Sequence, residues 1–428
     1  MHTEAAFTEG WLIFAAMVAA LLAAQFWRKQ PIGLSLLYGA IAGALVAGKG
    51  IPIRHLVEGA FTYFDAILII YTAMLFMRVI EENGTLGALA VWIIRKFGRI
   101  PSLLTAIVTL FIMFPAMLTG ITTTSVLTTG ALIAPALVAL GLPRGKVAAV
   151  IAISAVMGMI APPINLLAML IGQGVDMPYI GFEVPLLAVS LPIALLSSYI
   201  LVYPHLRRSD PAVATDFLNK GSDSSLGFMG ILPLLIVFGL MAGIRIFPKY
   251  LPDIGIPAIF ILGTLLALAT GKRVGLWNAA NHSLLLGLPV LGLLAGVGAF
   301  LQVMTLTGVR GLLVASALSL PPALKYVGLL VSLPLFGGVS AFASAMVFGV
   351  PFLLSLLGNG SEILICAAIS ALAGLGDVLP PSAINARFSA QVVGDVTYLA
   401  VIRRCIPFVV ISALFSLGLI YAAPHLMR

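Results

Sequence analysis

Charge is what this chain has least of. Only 9% of its 428 residues are Asp, Glu, Lys or Arg, against about a quarter in an ordinary soluble domain. So little polar surface cannot cover a fold in water, which excludes a soluble globular protein. Cysteine is scarce as well. Cys366 and Cys405 are the two in the chain, both in apolar stretches, which excludes a disulfide scaffold and makes packing their expected role. The five histidines lie at ends or in loops without metal-ligand spacing, and the glycine-rich Lys-Ser/Thr loop of an ATPase is missing. Neither enzyme chemistry nor ATP-driven pumping is therefore expected of this chain. The first ten residues, MHTEAAFTEG, lack the basic n-region of a signal peptide, so no cleavage is expected.

What the sequence has instead is apolar length: 61% of residues are hydrophobic and the mean hydropathy is +1.15. A membrane-spanning helix needs about 20 residues, so the composition implies an all-α polytopic membrane protein in contact with lipid. The net charge of +8 is spread in ones and twos at the ends of apolar runs. That is the pattern of loops held on the inner side of a membrane, not of a face that binds nucleic acid.

The order of segments repeats. Residues 1–206 form a first membrane repeat, 207–225 (RRSDPAVATDFLNKGSDSS) a polar linker on the cytoplasmic side, and 226–428 a second repeat. Each repeat reads as spans, an amphipathic arm, an apolar region broken by Gly, Ser and Thr, and a helix broken at Pro-Pro. The hairpin-like regions lie at about 101–142 and 321–357, and the broken helices at 147–172 and 362–398. Gly120 precedes Pro162 by 42 residues, and Gly338 precedes Pro380 by 42. If each Gly-broken region is a re-entrant hairpin, the chain has ten spans with its N-terminus outside. Fourteen Lys and Arg then lie in inner segments and seven in outer ones, as the positive-inside rule requires. Five crossings per repeat make the two repeats inverted. Hairpins made of two ordinary spans would leave Arg144 and Lys146 on the same side, and hydropathy alone leaves that alternative open.

Broken helices are tolerated in hydrocarbon only where protein or a water-filled cavity satisfies their backbone. Half-helix N-termini attract anions, and half-helix C-termini and unwound carbonyls attract cations. Candidate binding residues therefore gather at four breaks. In the first repeat these are Gly120 with the hydroxyl cluster Thr122, Thr123, Thr124 and Ser125, and then Pro162, Pro163 and Asn165. In the second they are Gly337, Gly338 and Ser340, and then Pro380, Pro381 and Asn385. Backbone carbonyls near Thr124, Asn165, Ser340 and Asn385 are the expected Na+ ligands, and no other cofactor is expected. Asp377 and Arg387 flank the second break. An ionisable group at mid-membrane costs about 2.5–3.5 kcal/mol, which marks both as binding candidates, although they could pair with each other or Arg387 could snorkel. Arg78, Glu81 and Glu82 read as an ion pair at the membrane edge.

The run Gly120-Ile-Thr-Thr-Thr-Ser125, then Gly130-Ala-Leu-Ile-Ala-Pro135, Leu142-Pro-Arg144 and Ile160-Ala-Pro-Pro-Ile164 resembles the large membrane subunit, of DctM type, of tripartite ATP-independent periplasmic (TRAP) transporters. The resemblance implies an elevator-type secondary transporter of the ion-transporter superfamily that imports a small organic anion, a carboxylate, with Na+. It also implies two partners, a small four-helix membrane subunit and a periplasmic substrate-binding protein, and a bacterial inner membrane. A stand-alone ion-coupled exchanger of the same superfamily is the alternative within transport. A non-transporting membrane subunit or a membrane-embedded enzyme is the alternative outside it.

Overall fold

A computed structural model describes residues 2–208, 228–247, 249–270, 272–358 and 360–426. Apart from Arg207 and Arg208, the linker expected at 207–225 lies outside the described residues. Helices are the only regular secondary structure among the described residues. Two helices, α1 (His2–Leu22) and α2 (Ile32–Val46), lead into α3 (Ile53–Phe61) and α4 (Phe64–Glu82), which meet at a 44° bend. Gly84 then turns the chain, at φ +84°, into the arm α5 (Thr85–Phe97). Next come α6 (Pro101–Thr119), α7 (Thr122–Ser125), a π-turn at Val126–Gly130 and α8 (Ala131–Ala139). The first half closes with α9 (Arg144–Ile160), α10 (Leu166–Gln173), α11 (Glu183–Leu201) and α12 (Tyr203–Leu206).

The second half follows the same order. It has α13 (Phe228–Ile246), α14 (Ile256–Thr270), α15 (Leu276–Leu306), the arm α16 (Val309–Ser319), α17 (Pro322–Gly337), α18 (Ala341–Ser344), a π-turn at Ala345–Gly349 and α19 (Val350–Leu356). It ends in α20 (Glu362–Gly374), a 3-10 turn at Leu375–Val378, α21 (Ile384–Val393) and α22 (Tyr398–Leu426). One departure is α15, a continuous helix of 31 residues where the first half bends between α3 and α4. Seven helices among the described residues are long and apolar enough to cross a membrane, or eight counting the bent pair. The ten spans expected from hydropathy include α2 and α14, which at 15 residues each fall short of that length.

Two packing groups organise the helices. In one, α15 lies along α2 and α3, while α4 lies against α14. Each half thus rests its third span on the other half's second. Glycine allows the closest approach: a Cβ on Gly296 would stand 2.3 Å from the carbonyl oxygen of Gly33, and one on Gly298 would stand 2.1 Å from that of Gly59. The other group is centred on α9, which packs against α6, α11, α21 and α22. The α9 sequence is apolar or small on every side, and all residues from Val147 to Ile160 are buried. That is the pattern of a helix surrounded by protein, not one facing lipid on one side.

Candidate functional site

Each hairpin is built by the same local chemistry. Pro115 in α6 and Pro334 in α17 lie inside their helices near the tip end, and each removes an N–H that the helix would use. A serine one turn past the tip bridges back to the proline-bearing arm. Ser125 Oγ accepts from the Ala116 N–H at 2.8 Å and donates to the Met113 carbonyl at 3.4 Å. Ser344 Oγ donates to the Leu333 carbonyl at 2.7 Å. Thr129 adds a bond to the Ile112 carbonyl at 3.3 Å. Ser125, one of the hydroxyls expected at the binding site, therefore holds the first hairpin together.

The tips rest on the breaks. Gly120 turns the first tip at φ +66° and lies against Leu166, the first residue of α10. Nearby, the Ile164 N–H donates to the Met117 carbonyl at 3.2 Å. In the second half, the Gly338 carbonyl accepts from the Ser382 N–H at 3.0 Å and from the Ser382 hydroxyl. Gly337 lies against the backbone of Gly376, and a Cβ on Gly338 would stand 2.2 Å from the Pro380 carbonyl oxygen. Both Pro162-Pro163 and Pro380-Pro381 are cis. Ser340 caps α18, accepting from the Ala343 N–H at 3.2 Å.

Three hydrogen bonds made by the expected site residues cross from one half to the other. Thr122 Oγ1 donates to Asp377 Oδ2 at 2.8 Å, joining the first tip to the second break. Asn165 Nδ2 donates to Ser370 Oγ on α20 at 2.9 Å. Asn385 Nδ2 donates to the Ala152 carbonyl on α9 at 2.7 Å. Asp377 and Arg387 do not pair with each other; the Arg387 guanidinium lies 4.8 Å from the Tyr398 ring centre. The ion pair expected of Arg78, Glu81 and Glu82 forms, with Arg78 paired to both carboxylates.

The two asparagines are not equivalent. Asn165 is the N-cap of α10: its Oδ1 accepts from the Ala168 N–H at 2.9 Å, and its Nδ2 also donates to the Ile160 carbonyl at 2.8 Å. Both ends of the amide are thus used within the protein. Asn385 is the second residue of α21, and the position matching Asn165 is Ala383, in the left-handed region at φ +44° with no side-chain cap. Asn385 is fully buried, and its Oδ1 has no partner among the described residues. Thr124 Oγ1 is a second buried oxygen without one, while Thr123 is half-buried. The first tip, from Thr122 through the π-turn, packs against α21. Thr124 and Asn385 therefore sit on touching elements, each offering an oxygen of the kind that binds a hard cation.

Tyr179 escapes a reading of the sequence. It follows α10 in a loop, yet its hydroxyl accepts from the Asn165 N–H at 3.1 Å and donates to the Pro163 carbonyl at 3.2 Å, satisfying two backbone groups that the first break frees. Arg245 anchors it, donating to its carbonyl at 2.8 Å and pairing with Glu183 at 3.3 Å. A tyrosine in the short loop between two apolar helices was the available signal.

The family model of the tripartite ATP-independent periplasmic transporter DctM component matches residues 13–425. No curated protein matches the chain by sequence. Among solved structures the chain is similar to MtrF of Neisseria gonorrhoeae, whose structure is described as illuminating a class of antimetabolite efflux pumps. The TM-score is 0.62 at 16% identity, covering 91% of this chain and 87% of that one. At that identity the likeness shows a common fold.

Proposed function

The chain belongs to the DctM component family of tripartite ATP-independent periplasmic transporters, and from that premise we propose that it is the permease subunit importing a small organic anion, a carboxylate, with Na+. It is a multi-pass inner-membrane transporter and not an enzyme. The family implies a small membrane subunit and a periplasmic binding protein as partners. The observation that carries the proposal is the Thr122–Asp377 bond, which ties the first tip to the second break while each tip rests on the break of its own half. Four interrupted backbones meet there. Unwound carbonyls and half-helix ends in such a place suit a cation and an anion together.

In this reading Na+ takes Thr124 and Asn385 among its ligands, since each has a buried oxygen without a partner. Asn165 and Ser340 act through their caps, and their backbone carbonyls are what they can offer the cation. The hairpins and broken helices travel as an elevator against the group formed by α1–α4 and α13–α15. With the topology drawn from loop charges, the two halves are inverted. The Gln173 amide, which donates to the Thr62 carbonyl at 3.2 Å, then lies toward the outer face. The test is uptake of a panel of labelled organic acids into proteoliposomes holding the chain with both partners. One acid or a small group of acids is expected to accumulate under an inward Na+ gradient and not without it. Accumulation of none, or accumulation indifferent to Na+, overturns the proposal.

A further inference from the structure

The two breaks differ in what they leave open. The first is sealed. Asn165 caps α10, and Tyr179 takes up a freed N–H and a freed carbonyl. The second has no such seal: Ala383 provides no side-chain cap for α21, so its first amides lack an acceptor within the helix. Tyr398, the first residue of α22, lies under the Arg387 guanidinium instead.

Beside the second break is a cavity of ≈ 570 Å³ between α21 and the corner joining α1 to α2. Ser382, Ile384, Arg387 and Gln391 line it from the break and α21, and Gln25 and Lys29 line it from the corner. It holds two cations, and no carboxylate is among its lining residues. Neither Arg387 nor Lys29 forms an ion pair among the described residues. Lys29 occupies the left-handed region at φ +53°, a conformation that costs a residue with a Cβ about 1–2 kcal/mol. Glycine would adopt it without that cost, yet this corner carries a lysine.

From these observations we propose that this cavity is the carboxylate site. The anion meets the uncapped N-terminus of α21 and the Arg387 guanidinium, with Lys29 completing the site from the opposite wall, and the first break binds no anion. The inference rests on the proposed permease function and assigns the anion to one break of the two. A guanidinium held over a tyrosine ring presents a planar fork to a carboxylate, and a half-helix N-terminus adds fixed positive potential. Because Lys29 belongs to a different packing group from Arg387, the site is complete only while α21 lies opposite the α1–α2 corner. It would thus come apart as the two groups move, which suits a point of release.

The test uses the full chain in nanodiscs, with Gln391→Cys as a reporter; Cys366 and Cys405 are buried. Reaction rates are compared for an anionic and a cationic methanethiosulfonate, with succinate and acetate as the probe carboxylates. The anionic reagent is expected to react faster. Arg387→Gln and Lys29→Gln should each lower the anionic-to-cationic rate ratio by on the order of tenfold, as removal of a nearby charge does at low screening. Arg387→Lys should keep the ratio but lose most of the protection that the carboxylates give. A ratio unchanged by both neutral variants overturns the site. So does protection that appears with anionic phospholipid in the disc and not with either carboxylate, because the cavity would then hold a lipid headgroup. Reporter results as expected, with no acid transported in the uptake panel, would fail the permease reading and leave the site standing. Acid uptake with Arg387→Gln at the wild-type rate would fail the site alone.

Discussion

Asn165 uses both ends of its amide to close the break it stands in, whereas Asn385 keeps an oxygen free. Replacing each with alanine should therefore have opposite signatures. Asn165→Ala loses a cap of about 1 kcal/mol and leaves buried partners unpaired at about 1–3 kcal/mol. Detergent-solubilised Asn165→Ala is expected to unfold well below the wild type, with or without Na+. Asn385→Ala removes one bond to the Ala152 carbonyl, costing about 0.5–1.5 kcal/mol, but should raise the Na+ concentration for half-maximal uptake by on the order of tenfold. Equal losses of stability with an unchanged Na+ requirement would remove Asn385 from the cation site. The asymmetry was visible in the sequence, since Asn165 follows Pro163 by two residues and Asn385 follows Pro381 by four. Two extra residues place the second asparagine inside its helix and leave Ala383 at the cap. The Thr122–Asp377 bond was not visible, because its partners lie 255 residues apart and no local pattern ties a hydroxyl to a carboxylate at that range.

At the level of elements, the hairpins and broken helices could be located from glycine, proline and hydroxyl placement, because those residues interrupt helices for local reasons. Register is harder. The 42-residue spacing sets Gly120 against Gly338, yet α7 begins at Thr122 and α18 at Ala341, so the tips are offset by one residue relative to the breaks. The π-turns and the serines bridging the hairpin arms follow from packing and leave no separate mark in the sequence. The contact of the second tip with its break gives a sharp prediction. Gly338→Ala would place a Cβ 2.2 Å from the Pro380 carbonyl oxygen, and backbone cannot yield as a side chain can. The tip should lift, the Ser382 bonds should break, and uptake should fall to near background with the protein still inserted. Gly308→Ala is the control. It has φ +78° and nothing within 4 Å of its Cβ position, so it should cost about 1–2 kcal/mol in the arm and leave uptake largely intact.

Taken whole, the molecule is bound on one side and open on the other. Gln173 at the end of α10 donates to the Thr62 carbonyl, and Arg310 on the second arm donates to the Gly174 carbonyl at 3.0 Å. Gln391, at the same place on α21, lines the open cavity beside Lys29 and Gln25. The repeated order of elements was derivable from the order of segments in the sequence. Which side is closed was not, because it depends on how two groups of helices meet and not on what either contains. The proposed elevator movement requires these two groups to separate at Gln173 for transport to proceed. A reversible thiol cross-link between Thr62→Cys and Gln173→Cys, formed with a short bis-methanethiosulfonate in proteoliposomes that take up the anion, tests it directly. Uptake should fall in proportion to the cross-linked fraction and return when a reductant opens the link. Uptake at the full rate from fully cross-linked protein would contradict the account.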